Sequence, residues 1–251
     1  AGSDAGAVSC RAEKVEGGYI LNGTKCFITN APIADKITLF ANTREGGGIR
    51  GLTVFLVDAD TKGISIGKEE DKMGIRASAT AEVIFEDCFV PDSARVGKEG
   101  RGFMIAMQTL QMSRPVVAAI SVGIAQAAIE AAVAYSHHRK QFGVKIATFE
   151  MVQQMIADMV MKTEAARILT YKACVAQMNK DKKAGLYSAM SKCFASDTAM
   201  EVTTTAVQVM GGNGYSRENP VEKYMRDAKI MQIYEGTNQV QRLVIANETT
   251  F

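Results

Sequence analysis

The sequence has no C-x-x-C pair, no block of like charge, no internal repeat and no low-complexity tract, and each absence removes a class of function. Its five cysteines, Cys10, Cys26, Cys88, Cys174 and Cys193, are odd in number and widely spaced, which offers neither zinc-ligand nor redox-motif spacing. A reducing, intracellular compartment is the expectation. Lys and Arg number 29 against 27 Asp and Glu, a net charge of +2, and no basic run exceeds a few residues, so nothing resembles a nucleic-acid footprint. The cluster Lys180-Asp181-Lys182-Lys183 reads as a solvated connection. The adjacent His137 and His138 have no carboxylate or thiol at ligand spacing, so no metal site is expected. No apolar run is expected to reach the length that spans a bilayer, no segment pairs a strongly basic face with a large apolar one, and no signal or transit pattern opens the chain. The chain begins with Ala1 rather than Met, as a processed product or a fragment does.

What is present is a chain of 251 residues, 47% hydrophobic, enough for a substantial core in one large or two ordinary domains. Residues 1–97 read as strands. Tyr19 and Leu21, then Lys25, Phe27 and Thr29, flank Asn22-Gly23, a pair that favours a hairpin turn. Lys36–Asn42, Leu52–Asp58, Gly63–Lys68 and Ala81–Val90 follow, separated by turn-rich segments. Residues 98–251 shift to Ala, Met, Gln and charged residues and read as helices: 102–138 with Pro115 kinking or restarting it, 148–179, 184–210 and 221–234. In the second, Val152, Ile156, Met159, Thr163, Ala166, Thr170 and Ala173 recur at steps of four and three, the stripe of a bundle helix. The fold class expected is α+β, an antiparallel β-barrel or sandwich followed by a four-helix bundle.

Two glycine-marked breaks interrupt the helices, Gly211-Gly212-Asn213-Gly214-Tyr215 and Tyr234-Glu235-Gly236-Thr237-Asn238-Gln239. Thr237 is suited to cap a short helix running toward Ala246, which sets Glu235 at its mouth, where free N–H groups attract an anion and a carboxylate is placed to move a proton. A solvated Glu beside a turn is the plainer reading. Arg114, between Met112 and Val116 on an apolar helix, needs a carboxylate partner if buried, and Glu235 is a candidate. Arg139 and Phe142 close the first long helix, either as dipole-complementing residues ahead of a Gly143 C-cap or as a phosphate ligand and an aromatic wall. The glycines at 211–214 serve as a C-cap and turn or let backbone approach a bulky polar ligand. Thr29 ends a strand, and Ser3 lies in a polar turn by default.

Taken in order, Ala1-Gly2-Ser3-Asp4, Phe27-Ile28-Thr29-Asn30, Ser113-Arg114-Pro115, Arg139-Lys140-Gln141-Phe142-Gly143, Gln208 through Gly214 and Tyr234-Glu235-Gly236-Thr237 resemble the acyl-CoA dehydrogenase family of flavoenzymes, in its short- and medium-chain form. The resemblance implies an N-terminal helical domain, a middle β-domain and a C-terminal four-helix bundle, assembled as a homodimer or homotetramer. Only the last two are matched here. It also implies FAD as cofactor, an acyl-CoA thioester as substrate and an electron-transferring flavoprotein as acceptor, in bacterial cytoplasm or mitochondrial matrix.

Glu235 then resembles the base that takes the α-proton while a β-hydride passes to N5 of FAD, giving a trans-2-enoyl-CoA. Its own N–H and a ribityl hydroxyl polarise the thioester carbonyl in the family. Arg114 resembles the residue that orients the active-site loop. Phe27 and Thr29 resemble contacts to the flavin ring. Arg139, Phe142, Gln208, Gly212, Thr237 and Gln239 resemble contacts to the FAD pyrophosphate and adenosine end, some across a dimer interface. Ser3, Tyr234 and Gly236 resemble substrate contacts, Ser3 to the pantetheine arm. The sequence departs from the pattern at Phe27, where Trp is common, at Gln111, where Asp is frequent, and at Glu150, where Gln is frequent. A carboxylate near FAD phosphates is unfavourable unless it points away. An enoyl-CoA reductase on the same scaffold and a non-catalytic fragment or oligomerisation core are the alternatives.

Overall fold

Alternating apolar and polar side chains carry the first part of the chain into strands β1 (Arg11–Val15), β2 (Gly18–Thr29), β3 (Lys36–Asn42), β4 (Leu52–Asp58), β5 (Ile64–Glu69), β6 (Thr80–Pro91) and β7 (Arg95–Val96) in the computed structural model, which describes residues 1–250. They form one seven-stranded sheet in the order β5-β6-β2-β1-β3-β4-β7. Every neighbouring pair is antiparallel except β1 and β3, which meet in parallel through Arg11 and Asn42. Tyr19, Leu21, Leu39, Phe55, Val83 and Phe85 are buried in its core, with the Tyr19 and Phe55 rings edge to face at 5.0 Å. Each such side chain contributes about 1.5–3 kcal/mol by leaving water.

The expected hairpin at Asn22-Gly23 is not there. β2 runs through it unbroken, and the tight turn falls at Glu16-Gly17, where Val15 pairs with Gly18 and Gly17 has φ 74°. Asn22-Gly23 marks a register shift between β2 and β6 instead. The Asn22 amide donates to Asp87 Oδ1 at 3.1 Å and its Oδ1 accepts the Asp87 N–H at 2.8 Å, so the side chain supplies the bonds the ladder loses. A Cβ on Gly23 would stand 2.9 Å from the Cys10 Cα, so glycine there serves close strand approach.

The helices are α1 (Gly102–His138), α2 (Glu150–Met178), α3 (Ala184–Met210), α4 (Gly212–Tyr215), α5 (Val221–Met231) and α6 (Asn238–Thr250), with a small hairpin, β8 (Lys140–Gln141) and β9 (Val144–Lys145), after α1. Pro115 is accommodated without ending α1. The stripe read on α2 is the buried one, from Met159 through Thr163, Ala166 and Thr170 to Ala173. Ala125, Ala128, Ile129 and Ala132 of α1 pack with Met159 of α2, Ala199 and Val202 of α3, and Val221 and Ala228 of α5. α1 also corrects one expectation, because by length and composition it is apolar enough to cross a membrane. Its apolar stretch is built from Ala, Gly and Ser scattered among the larger residues, and one side of it is spent in this bundle core.

The chain divides into two units, Ala1–Lys72 with Arg76–Thr109, and Met73–Ile75 with the residues from Leu110 on. Met73–Ile75 belongs to the helical unit because it is pinned to α5: Asp227 Oδ1 accepts the Ile75 N–H at 2.6 Å, and Arg226 Nη1 donates to the Met73 carbonyl at 2.7 Å.

Candidate active site

Between α5 and α6 the chain makes two consecutive left-handed residues, Glu235 at φ 57° and Gly236 at φ 86°. Glycine adopts that conformation freely; glutamate does so at a cost, so its surroundings must hold it. The Thr237 hydroxyl accepts the Val240 N–H at 3.2 Å, so the expected cap opens α6. The Gln232 carbonyl accepts the Asn238 N–H at 3.0 Å and closes the loop behind it. Among the described residues, the N–H groups of Glu235, Gly236 and Thr237 donate to nothing within the chain.

The Glu235 side chain is half-buried, and its Oε2 accepts a hydrogen bond from the Ser113 hydroxyl at 2.6 Å. Arg114 is 8% exposed, and burial pushes its guanidinium below the usual arginine range while the charge of Glu235 opposes that shift. Its hydrogen bond differs from the one expected: Nε reaches the main-chain carbonyl of Glu235 at 3.5 Å rather than the carboxylate. Met112 and Val116, read as flanking it on one apolar face, are 70% and 58% exposed. Two residues of helix turn through about 200°, so neighbours at that spacing face away from Arg114. Burial and the Glu235 charge push the Tyr234 phenol up, and its hydroxyl meets Met231 Sδ at 3.0 Å.

The break at Gly211–Tyr215 separates into distinct parts. Gly211 ends α3 at φ 60°, the C-cap that was read, and a Cβ on Gly214 would stand 2.6 Å from the Val207 carbonyl. Gly212 is required by neither: nothing lies within 4 Å of the position its Cβ would take. Gln208 and Gln239 are exposed on α3 and α6. Gly143 does not cap α1. Phe142 and Gly143, at φ 51° and 80°, form the two-residue turn joining β8 to β9, the geometry a tight hairpin demands. Phe142 is thereby displayed at 94% exposure, edge to face with Phe149 at 6.1 Å, beside an exposed Arg139. Glu150 is the exposed first residue of α2, where a negative charge complements the helix dipole. In the sheet unit, Phe27 sits on β2 at φ 55° and 69% exposure next to a register shift, with exposed Thr29 at the strand's end and exposed Ser3 near the start of the chain.

Lys192 was missed by sequence reasoning. It is fully buried on α3 and donates to the Gly236 carbonyl at 2.8 Å and to Asn238 Oδ1 at 2.9 Å. Its only signal was a lone lysine among small residues, Ser191, Cys193 and Ala195, on a helix.

The sequence matches the description "Acyl-CoA dehydrogenase, middle domain" over residues 1–88 and "Acyl-CoA dehydrogenase, C-terminal domain" over residues 100–249. It is 50% identical over 246 residues to the probable acyl-CoA dehydrogenase FadE25 of Mycobacterium tuberculosis, covering 98% of this chain and 63% of that relative. Butyryl-CoA dehydrogenase from Megasphaera elsdenii superposes with a TM-score of 0.98 at 47% identity, over 100% of this chain and 66% of that one. A chain in a structure described as the electron transferring flavoprotein of Acidaminococcus fermentans superposes with a TM-score of 0.97 at 51% identity, again over 100% and 66%. The chain thus spans a little under two thirds of these relatives, and over that span sequence and architecture agree. It belongs to the acyl-CoA dehydrogenase family.

Proposed function

We propose that the protein is an FAD-dependent acyl-CoA dehydrogenase that converts an acyl-CoA thioester to its trans-2-enoyl-CoA, with Glu235 as the base. The observation that carries this is the carboxylate itself. It is set in a left-handed turn at the start of α6, bonded through one oxygen to Ser113 and with no hydrogen bond at Oε1 among the described residues. A solvated turn glutamate needs none of this. Oε1 takes the α-proton of the substrate. The Ser113 hydroxyl fixes the carboxylate's rotation and stabilises its charge before transfer. The Glu235 N–H is a free donor for the thioester carbonyl, whose polarisation makes the α C–H acidic enough to lose its proton. When bound, FAD supplies the acceptor for the β-hydride.

The residues present suit that cofactor. Arg139 provides a charge for a diphosphate, Phe142 an exposed ring for a planar group, and Gly212 an open backbone face for close approach. Gln208, Thr237 and Gln239 add polar groups, and Phe27 and Thr29 are assigned to the flavin ring. Ser3, Tyr234 and Gly236 are assigned to the substrate, and Arg114 to orienting the Glu235 turn. Residues 1–97 act as the middle β-domain and 98–251 as the helical domain. The reading includes an electron-transferring flavoprotein as acceptor, a homodimer or homotetramer, a role in fatty acid β-oxidation and an intracellular, reducing compartment, either bacterial cytoplasm or mitochondrial matrix. Support comes from family membership and from the names of the similar proteins.

Anaerobic addition of a saturated acyl-CoA to the FAD-loaded protein is expected to bleach the flavin absorbance, and a panel of graded chain lengths identifies the preferred substrate. A flavin that stays oxidised with every member of the panel contradicts the proposal. Turnover that proceeds only with reduced carrier and an enoyl-CoA assigns the reductase direction instead. A purified chain that stays colourless with added FAD marks the non-catalytic fragment.

A further inference from the structure

Two main-chain carbonyls, those of Glu235 and Gly236, point at donors from three different helices. Arg114 Nε of α1 reaches the Glu235 carbonyl at 3.5 Å. Gln241 Nε2 of α6 reaches it at 3.2 Å and the Gly236 carbonyl at 3.0 Å. Lys192 Nζ of α3 reaches the Gly236 carbonyl at 2.8 Å. Of the three, Lys192 is the costly one, because its ammonium is fully buried and its hydrogen-bond acceptors, Gly236 and Asn238, are neutral. An apolar side chain would fill the same volume at lower cost, but would leave the Gly236 carbonyl only the Gln241 amide, and Asn238 Oδ1 only the Ser196 hydroxyl, as donor.

Asn238 extends the clamp. Its Nδ2 donates to Asp197 Oδ1 at 2.7 Å and to the Ser196 hydroxyl at 2.8 Å, both on α3. Asp197 also receives Gln232 Nε2 at 2.7 Å and Arg242 Nη2 at 2.6 Å, one from each end of the loop. Burial alone would raise the Asp197 carboxyl, yet these donors hold it below the usual carboxylate range, so it stays an acceptor. The loop from Gln232 to Arg242 is thus tied to α3 through two centres, Lys192 and Asp197. With both carbonyls drawn inward, the peptide planes on either side of Gly236 are fixed, and so is the direction in which the Glu235 side chain leaves the turn.

We propose that Lys192 is a positioning residue for Glu235: by holding the Gly236 carbonyl and the Asn238 side chain, it fixes the turn from which the carboxylate projects. The proposal rests on Glu235 being the base. Lys192→Met in the FAD-loaded protein is expected to slow anaerobic flavin reduction at saturating acyl-CoA by about 100-fold, the cost of a displacement near 1 Å, with KM within about threefold of wild type. In the same variant without cofactor, amide exchange at Asn238 and Val240, whose N–H groups bond within the loop, is expected to accelerate at least about tenfold. Should Lys192→Met not fold, Lys192→Gln, whose shorter neutral side chain keeps a donor and leaves the Asp197 centre intact, is expected to move both readouts the same way by a smaller factor. Reduction at the wild-type rate, or unaltered exchange at Asn238 and Val240, overturns the proposal. A wild type whose flavin never bleaches defeats the base reading alone, because the exchange measurement still decides whether Lys192 holds the turn.

Discussion

Gly236 is the residue where backbone conformation and packing make the same demand. Its φ is 86°, and an added Cβ would stand 2.4 Å from Gln241 Nε2 and 3.7 Å from Arg114 Nη2. Gly236→Ala therefore displaces the clamp on the Glu235 turn and strains the backbone together, a loss of about 1–3 kcal/mol. Urea unfolding is expected to report that loss, and an alanine variant as stable as wild type removes the case for a tightly held turn. Thr237 was legible as a cap, and Gly236 as a break in the helices, because both are local features with local signatures. Lys192 was not, because its partners lie 44 and 46 residues away in the chain. The Arg114 partner was half legible: an arginine that is buried needs an acceptor and Glu235 was the candidate, while the choice of carbonyl over carboxylate is settled by the geometry of the turn.

At the level of elements, strands and helices with strong periodicity were read nearly to their ends. β3, β4 and α3 have the expected limits, and the α2 stripe is the buried face. Glycine was the weak point, because one residue type serves turns, bulges, caps and close packing alike. Gly23 was read as a turn and lies in a bulge, and Gly143 was read as a cap and lies in a turn. Gly74 was not read at all, yet it lets Met73–Ile75 lie against α5: its Cβ would meet the Arg226 carbonyl oxygen at 2.4 Å and the Asp227 nitrogen at 2.8 Å. Backbone atoms of a helix cannot move aside as a side chain can. Gly74→Ala is expected to free this segment, read as lost exchange protection at the Ile75 amide, which Asp227 now holds. Retained protection at Ile75 means the segment is held by something other than this approach.

Across the whole molecule, stability carries a signature of the buried lysine. Burial above all pushes Lys192 from the ordinary lysine value of 10.5 down to about 8. Between those values the unfolded chain keeps a proton that the folded chain has released, so folding stability from this group rises with pH across the window and is flat below it. The stability of wild type relative to Lys192→Met is therefore expected to increase from pH 8 toward 10.5, and an unchanging difference means that the ammonium titrates as if exposed. Family membership and the two-part architecture were legible because many short motifs recur in order along the chain, whereas the proposed chemistry depends on one carboxylate and its surroundings. The most direct test of that chemistry is the rate of anaerobic flavin reduction by a saturated acyl-CoA in the FAD-loaded protein, wild type against Glu235→Gln. With Glu235 as the base, the wild type bleaches and the glutamine variant, which keeps the shape of the side chain but cannot accept the proton, stays oxidised. Bleaching of both at the same rate would show that another group takes the proton.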